Sequence, residues 1–527
     1  MESELIEKEK KLKLNYKNTM FIGLAFFSIL MLWQVYNAYC PLFLSDLLNY
    51  DKESYVIGIF MATDNVIALI LLPIFGRLSD KTHTRFGKRM PYIIVGMLLA
   101  ALVFPFIPLF YTKGNLVGVI LTMLLILCIM HMYRTPAVSL MPDVTPKPLR
   151  SKANGIINLV GYFGPIIAAV VKMLLDYKDH PYIPFFTVSI CLVLAALVLF
   201  MTIKENELLE KMQPDLILGE ELSQSLDKIE EDKPMSNRDK KNLIIILLST
   251  FLWFMAFNAL ESFLSLYCKE VLGNERLSGS VTIVLTISSV LTFIPAGLFA
   301  NKIGRKLSIV IGLIFLFIGF LGSALISPIV DVRKKLDFSY DPISATYYME
   351  NSQYHIELKD DSTYILETNV HKEGTYKIGK NYIELDDNDV YTYDSFNNTF
   401  IDYTDQTLDE FKSANKSIAL ARTVFMVLVA CAGIGWALIN VSSYPMVCEL
   451  ASQKNIGKIS SYYYLASMLA QSVTPILVGL IMAFGTGYKG LFYYSSIVTI
   501  IAFIVFILYK ENKQKVEILK KGFELFD

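Results

Sequence analysis

Charge is scarce in this chain. Only 18% of its 527 residues are Asp, Glu, Lys or Arg, and the mean hydropathy is +0.46. Soluble domains carry roughly 25% charged residues, so lipid is the expected solvent. A formal net charge of −1 leaves no basic surface for nucleic acid. Cysteine is equally sparse: Cys40, Cys128, Cys191, Cys268, Cys431 and Cys448 stand singly in apolar stretches. With no Cys-x-x-Cys pair and no His/Cys cluster, neither a disulfide framework nor a metal site is expected. No glycine-rich phosphate loop ending in Lys-Ser/Thr occurs, so ATP does not drive this protein, and no cofactor or enzyme signature is found. The first apolar run is too long for a removed signal peptide and lacks its cleavage pattern.

Long apolar runs dominate instead. About 20 such residues cross the hydrocarbon, and twelve runs are read: 19–47, 56–75, 91–111, 116–140, 153–175, 182–203, 242–267, 278–300, 306–328, 418–445, 458–483 and 490–509. Both termini and every even-to-odd loop then share one side. That side collects roughly thirty Lys and Arg against about six opposite, which places both termini in the cytoplasm. The predicted fold is an all-α membrane protein: twelve transmembrane helices in two six-helix pseudo-symmetric halves, with a small external β-rich insert. The halves are 1–203 and 242–328 with 418–509. A polar cytoplasmic linker, 204–241, joins them, and 510–527 forms a cytoplasmic tail. The insert, 329–417, alternates polar with β-branched or aromatic residues. Its stretch Thr375 to Leu385 reads as two strands joined through Gly379-Lys380-Asn381.

The two halves repeat one another about 220 positions apart. Trp33 and Phe43-Leu44-Ser45 recur as Trp253 and Phe263-Leu264-Ser265, and Asn37 is answered by Asn258. Gly76-Arg77-Leu78-Ser79-Asp80 recurs as Gly297 to Asn301, each followed by a basic cluster. With about 85 residues of insert removed, Asp143 at the end of helix 4 aligns with Glu449 at the end of helix 10. Homologous half-bundles leave a site at their interface that rocking exposes alternately to each side.

The loop from Gly76 to Pro91, with Arg85, Gly87, Lys88 and Arg89, resembles the signature between helices 2 and 3 of the Major Facilitator Superfamily. Its long form resembles the sucrose–proton symporters. The stretch Arg134-Thr-Pro-Ala-Val-Ser-Leu-Met-Pro-Asp143 followed by Ala153-Asn154 is similar to that branch and to the glycoside–pentoside–hexuronide cation symporters. The resemblance implies sugar transport. In the cation symporters an aspartate matches Arg134 and a carboxylate precedes the helix 2 proline, where this chain has Leu72 before Pro73. Sodium coupling is therefore not expected, and a proton mechanism stays open.

Candidate residues follow from depth. Asp64 lies about ten residues, roughly 15 Å, into helix 2, where a lone carboxylate is costly and lines a pathway or finds a partner. Arg134 lies at comparable depth on helix 4, so the two are read either as a proton-exchanging pair or as a static ion pair. Asp143, whose equivalent in the resembling symporters is implicated in transport, and Glu261 on helix 7 are further candidates for proton coupling. For the substrate, Gln34, Asn37, Asn154, Asn158, Tyr162, Asn258, Trp436, Asn440 and Gln471 offer amides for hydroxyls and aromatic faces for C–H surfaces. Each of them could equally hold helices together. Gly76, Asp80, Arg85, Lys88, Arg89, Asn301, Arg305 and Glu449 are read as a cytoplasmic latch, formed and broken as the halves rock.

The expected protein is a proton-coupled importer of a disaccharide or small glycoside, monomeric in the cell membrane. Its partners are that solute, a proton and the bilayer. The rivals are an exporter or carrier of another polar solute on the same fold, and a membrane sensor or adhesion module built on the insert.

Overall fold

The computed structural model describes residues 12–48, 53–229, 235–330, 345–349, 355–359, 362–367, 371–379, 382–386, 389–394, 399–402, 408–450 and 455–510. Six apolar helices form the first half: α1 (Tyr16–Leu48), α2 (Glu53–Lys81), α3 (Met90–Thr112), α4 (Leu116–Val144), α5 (Arg150–Leu174) and α6 (Ile183–Thr202). Six more form the second: α7 (Asn237–Glu270), α8 (Leu277–Ile303), α9 (Arg305–Val330), α10 (Leu408–Glu449), α11 (Ile456–Ile481) and α12 (Gly490–Ile507). Ten segments are long and apolar enough to cross a membrane; one of them, Lys458–Ile507, holds most of α11 and all of α12, and α8 contributes a shorter apolar stretch, Leu277–Phe293. Large apolar side chains such as Leu102, Leu121, Met201 and Leu420 are exposed on the surface. In water this would be a liability, but against lipid tails it costs nothing.

The polar linker between the halves is largely helical. A helix, Glu205–Ile229, occupies most of it. α10 begins at Leu408, inside the stretch read as insert, so the strand-bearing region is narrower than 329–417.

The first half packs mainly through α1 against α5, where Gly164 lets the chains approach; a Cβ there would stand 2.8 Å from that of Met31. Among the described residues the halves meet chiefly through two helix pairs, α2 with α11 and α5 with α8. Under the repeat, α2 corresponds to α8 and α5 to α11, so the two junctions are symmetry mates.

The insert is a compact unit of its own. Seven strands, β1 (Ala345–Met349), β2 (His355–Leu358), β3 (Thr363–Glu367), β4 (His371–Gly379), β5 (Tyr382–Leu385), β6 (Asp389–Asp394) and β7 (Thr399–Asp402), run antiparallel in order. β1 then pairs with β7 in parallel and closes a barrel, which removes the exposed edges. Strand alternation sends Ile356, Leu358, Tyr364, Leu366, Tyr376, Ile383 and Leu385 into its core. The predicted hairpin is β4–β5, with Gly379 opposite Tyr382.

Candidate transport site

A cavity of about 1440 Å³ lies between the halves. This exceeds the ~300–1,000 Å³ of enclosed small-molecule sites, as a cavity open toward one face should. From the first half α1 contributes Trp33, Gln34 and Asn37, α4 Arg134, and α5 Lys152, Asn158, Tyr162 and Lys172. From the second come Phe254, Phe257, Asn258 and Glu261 on α7, Trp436 and Asn440 on α10, and Gln471 on α11. Eight of the nine substrate candidates thus line one space. Asn154 does not; it lies exposed near the start of α5.

The aromatic residues set the cavity's shape. Trp436 stacks on Phe257 at 3.9 Å with planes 9° apart, and Phe254 meets it edge-on at 5.1 Å. Tyr162 reaches across to Phe293 at 6.0 Å, joining α5 to α8. Asn258 donates from Nδ2 to Glu261 at 3.2 Å, one turn along α7. Asn440 donates to the Trp436 carbonyl at 2.8 Å, one turn back along α10.

The coupling candidates are arranged differently from their reading by depth. Asp64 is buried, but its Oδ1 lies 3.0 Å from Nε2 of His131, itself wholly buried on α4. Arg134 sits one turn further along α4 and places its guanidinium 4.6 Å over the Trp33 ring. Asp64 and Arg134 are thus neighbours through charge rather than in direct contact: the Asp64 carboxylate acts on Arg134, but His131 holds it and Arg134 stacks on Trp33. Depth gave the right layer and missed His131 as the contacting group. One histidine in an apolar span, with no repeat and no motif spacing, was its own only signal.

One end of the bundle carries the 205–229 helix and the loop between α2 and α3; this is the linker face. There Asp143 accepts from Arg89 Nε at 3.0 Å and from Lys88 Nζ at 3.0 Å, while Arg89 also pairs with Asp80. Arg85 instead stacks over Phe86 at 4.6 Å. Gly76 packs beside Thr135. Glu205 of the linker helix accepts the backbone N–H groups of Lys88, Arg89 and Met90 at 3.1, 2.9 and 2.9 Å. A carboxylate at these free N–H groups caps α3 and offsets its dipole, worth about 1–2 kcal/mol when partly buried. Gly87 permits it: its φ is +108°, and any Cβ would strike the Glu205 side chain. The second half repeats the design, Arg305 at the start of α9 pairing with Glu449 at the end of α10. The Asn301 side chain lies outside the described residues. Each of these ion pairs joins elements of one half, so it braces that half from within. Asp143 is bound up in this brace, away from the cavity.

Besides the Tyr162–Phe293 contact, the halves are joined at and toward the opposite, far face, by contacts the sequence did not announce. Asp176, after α5, pairs with Arg276, before α8, at 3.3 Å. Ser54 donates to the Gly479 carbonyl at 3.1 Å, Tyr488 to Glu53 at 3.2 Å, and Asn65 to the Gln471 carbonyl at 3.3 Å. Gly58 meets the Pro475 carbonyl so closely that a Cβ would clash, and Gly279 would put a Cβ 2.5 Å from the Ala169 carbonyl. Gly58 and Gly279 stand at the same repeat spacing as Gly76 and Gly297. These contacts hold the halves together at the far face, and the cavity lining runs from Lys172 and Gly279 there to Lys152 at the linker end.

The sequence matches the Major Facilitator Superfamily over residues 10–336 and 417–525. The chain belongs to the Major Facilitator Superfamily. It is thus a multi-pass membrane transporter and not an enzyme, and the gap in the match falls on the insert. No curated protein sequence matches the chain. Among solved structures, a bacterial homologue of the iron transporter ferroportin in an inward-facing state superposes with a TM-score of 0.56 at 11% identity, covering 95% of this chain and 100% of that one. The xylose transporter XylE from E. coli, partially occluded and inward open, gives 0.56 at 11%, covering 95% and 99%. The nucleoside transporter NupG gives 0.53 at 13%, covering 94% and 100%. At such identities the likeness is one of superfamily fold alone.

Proposed function

We propose that this superfamily member is a proton-coupled symporter that brings a small hydroxylated solute, a disaccharide or glycoside, into the cell as a monomer by alternating access. The linker face is cytoplasmic, following the charge bias of its loops. The observation that carries the reading is the juxtaposition in one layer of amides and aromatic faces lining the cavity with the buried Asp64–His131 pair behind it. A carboxylate hydrogen-bonded to imidazole away from water can take or lose one proton as its surroundings change. His131 and Arg134 lie one turn apart on α4, so solute near Arg134 and a proton near Asp64 act on the same helix segment. The braces at Asp143 and Asp80 in one half and at Glu449 in the other keep each half rigid while the far-face contacts break and re-form.

The deciding experiment loads purified protein into proteoliposomes and offers a panel of radiolabelled sugars under an imposed pH gradient, acidic outside. Uphill accumulation of a glycoside that collapses with a protonophore and does not require sodium is expected. Accumulation driven by sodium alone, or transport of no sugar while another polar solute is carried, would overturn the reading.

A further inference from the structure

Four charged side chains line the cavity among the described residues: Arg134, Lys152, Lys172 and Glu261. Lys152 is exposed near the linker end of α5, with Tyr16 beneath it at 5.4 Å, where water solvates it. Lys172 lies at the far end over Tyr39 and Tyr177, within the field of Glu275. Glu261 is held by Asn258 on the opposite wall. Arg134 is the exception. It feels the charge of Asp64, but that carboxylate is hydrogen-bonded to His131, and among the described residues no carboxylate lies within 4.0 Å of the guanidinium to occupy its N–H groups.

A guanidinium keeps its charge at any accessible pH, and at membrane depth that charge is costly without a counterion. The Trp33 face beneath it helps, yet it occupies only the π surface and leaves the in-plane N–H groups available. Their fork matches two oxygens of a carboxylate or phosphate. Gln34, Asn37 and Asn158 stand around the same space and suit hydroxyl groups.

We propose that the transported solute carries an oxyanion group, carboxylate or phosphate, bound by Arg134 above Trp33, with its hydroxylated remainder directed to the amides of α1 and α5. This rests on the cavity being the transport site and narrows the solute class to its anionic members.

The test uses the full chain in detergent micelles, with tryptophan fluorescence as readout. Trp33 and Trp436 line the cavity, whereas Trp253 is wholly buried outside its lining. Methyl β-D-glucuronide, glucose 6-phosphate and neutral methyl β-D-glucoside are titrated, with a non-sugar aryl carboxylate as a fourth arm. At least one anionic sugar should bind roughly tenfold more tightly than the glucoside. The glucuronide and phosphate arms tell which oxyanion is preferred. Arg134→Gln should bring the ratio to within about twofold, while Arg134→Lys, which keeps a charge but not the fork, should retain part of it. Equal affinity for charged and neutral sugars, or a preference that survives Arg134→Gln, overturns the inference. If only neutral sugars bind, the glycoside reading stands and the anion site falls. If only the aryl carboxylate binds, through Arg134, the anion site stands and the glycoside reading falls. If no probe binds, both fall.

Discussion

At the scale of single residues, the proposed coupling rests on a carboxylate and an imidazole 3.0 Å apart in the bundle interior. Asp64→Asn mimics the protonated carboxyl. It should abolish accumulation driven by a pH gradient while exchange of labelled for unlabelled solute continues, which a counterflow assay separates. Full gradient-driven accumulation by this variant would move the proton site to Glu261. His131→Gln keeps a hydrogen-bonding group but cannot carry charge, and it should also uncouple uptake from the gradient. Stripping Asp64 of any partner, as in His131→Leu, should cost about 3–5 kcal/mol, seen as lost thermal stability. The double variant with Asp64→Asn should be milder than the two single losses added, because no charge is left stranded. Of these roles the sequence disclosed Asp64 and Arg134, since charges stand out against an apolar background. It hid their partners. A side chain three residues from an arginine on one helix is legible as a neighbour, but which of two groups faces a carboxylate on another helix depends on rotation set by packing.

At the scale of elements, helices were legible because lipid admits only segments that satisfy their own backbone, and that demand writes long apolar runs. The far-face junctions were not, because they consist of main-chain carbonyls against glycines, and a glycine states only that something comes close. Gly279→Leu should wedge α8 from α5, and Gly58→Leu should do the same to α2 and α11. Each should shift the carrier toward the opposite orientation, raising thiol-reagent access to a cysteine placed at Thr282 from the far face. Unchanged access from both faces would show that these junctions do not hold the closure. The barrel is a separate element with its own chemistry. Asp386 accepts from the Thr375 backbone N–H at 2.9 Å and from Tyr364 at 3.1 Å, which holds its carboxyl below the usual range. Its contribution is therefore complete above the ordinary carboxylate range and fades as pH falls through the lowered value. Protease resistance of the barrel should drop on acidification, and Asp386→Asn should drop it at neutral pH and flatten the pH response. Replacing residues 332–406 by a short flexible bridge should leave uptake within a few-fold of the parent. Complete loss by a correctly inserted protein would give the barrel a part in the cycle.

At the scale of the whole molecule, the repeat governs most of what is seen. Asp143 with Arg89 and Glu449 with Arg305 are the same brace written twice, and α2–α11 and α5–α8 are the same junction written twice. The barrel has no counterpart and the superfamily match skips it, so it is an addition to a symmetric plan. The 205–229 helix is an addition of another kind. Glu205 ties its beginning to the first half through three backbone hydrogen bonds, and Lys147 holds Glu220 at 2.6 Å further along. Within the second half, Asn242 binds the end of that half through Lys510 at 2.8 Å. The covalent bond between the halves should then be dispensable. Two genes encoding residues 1–230 and 235–527, expressed together, should reassemble a carrier that transports, whereas a break placed before Glu205 should leave the first fragment uncapped and prone to degradation.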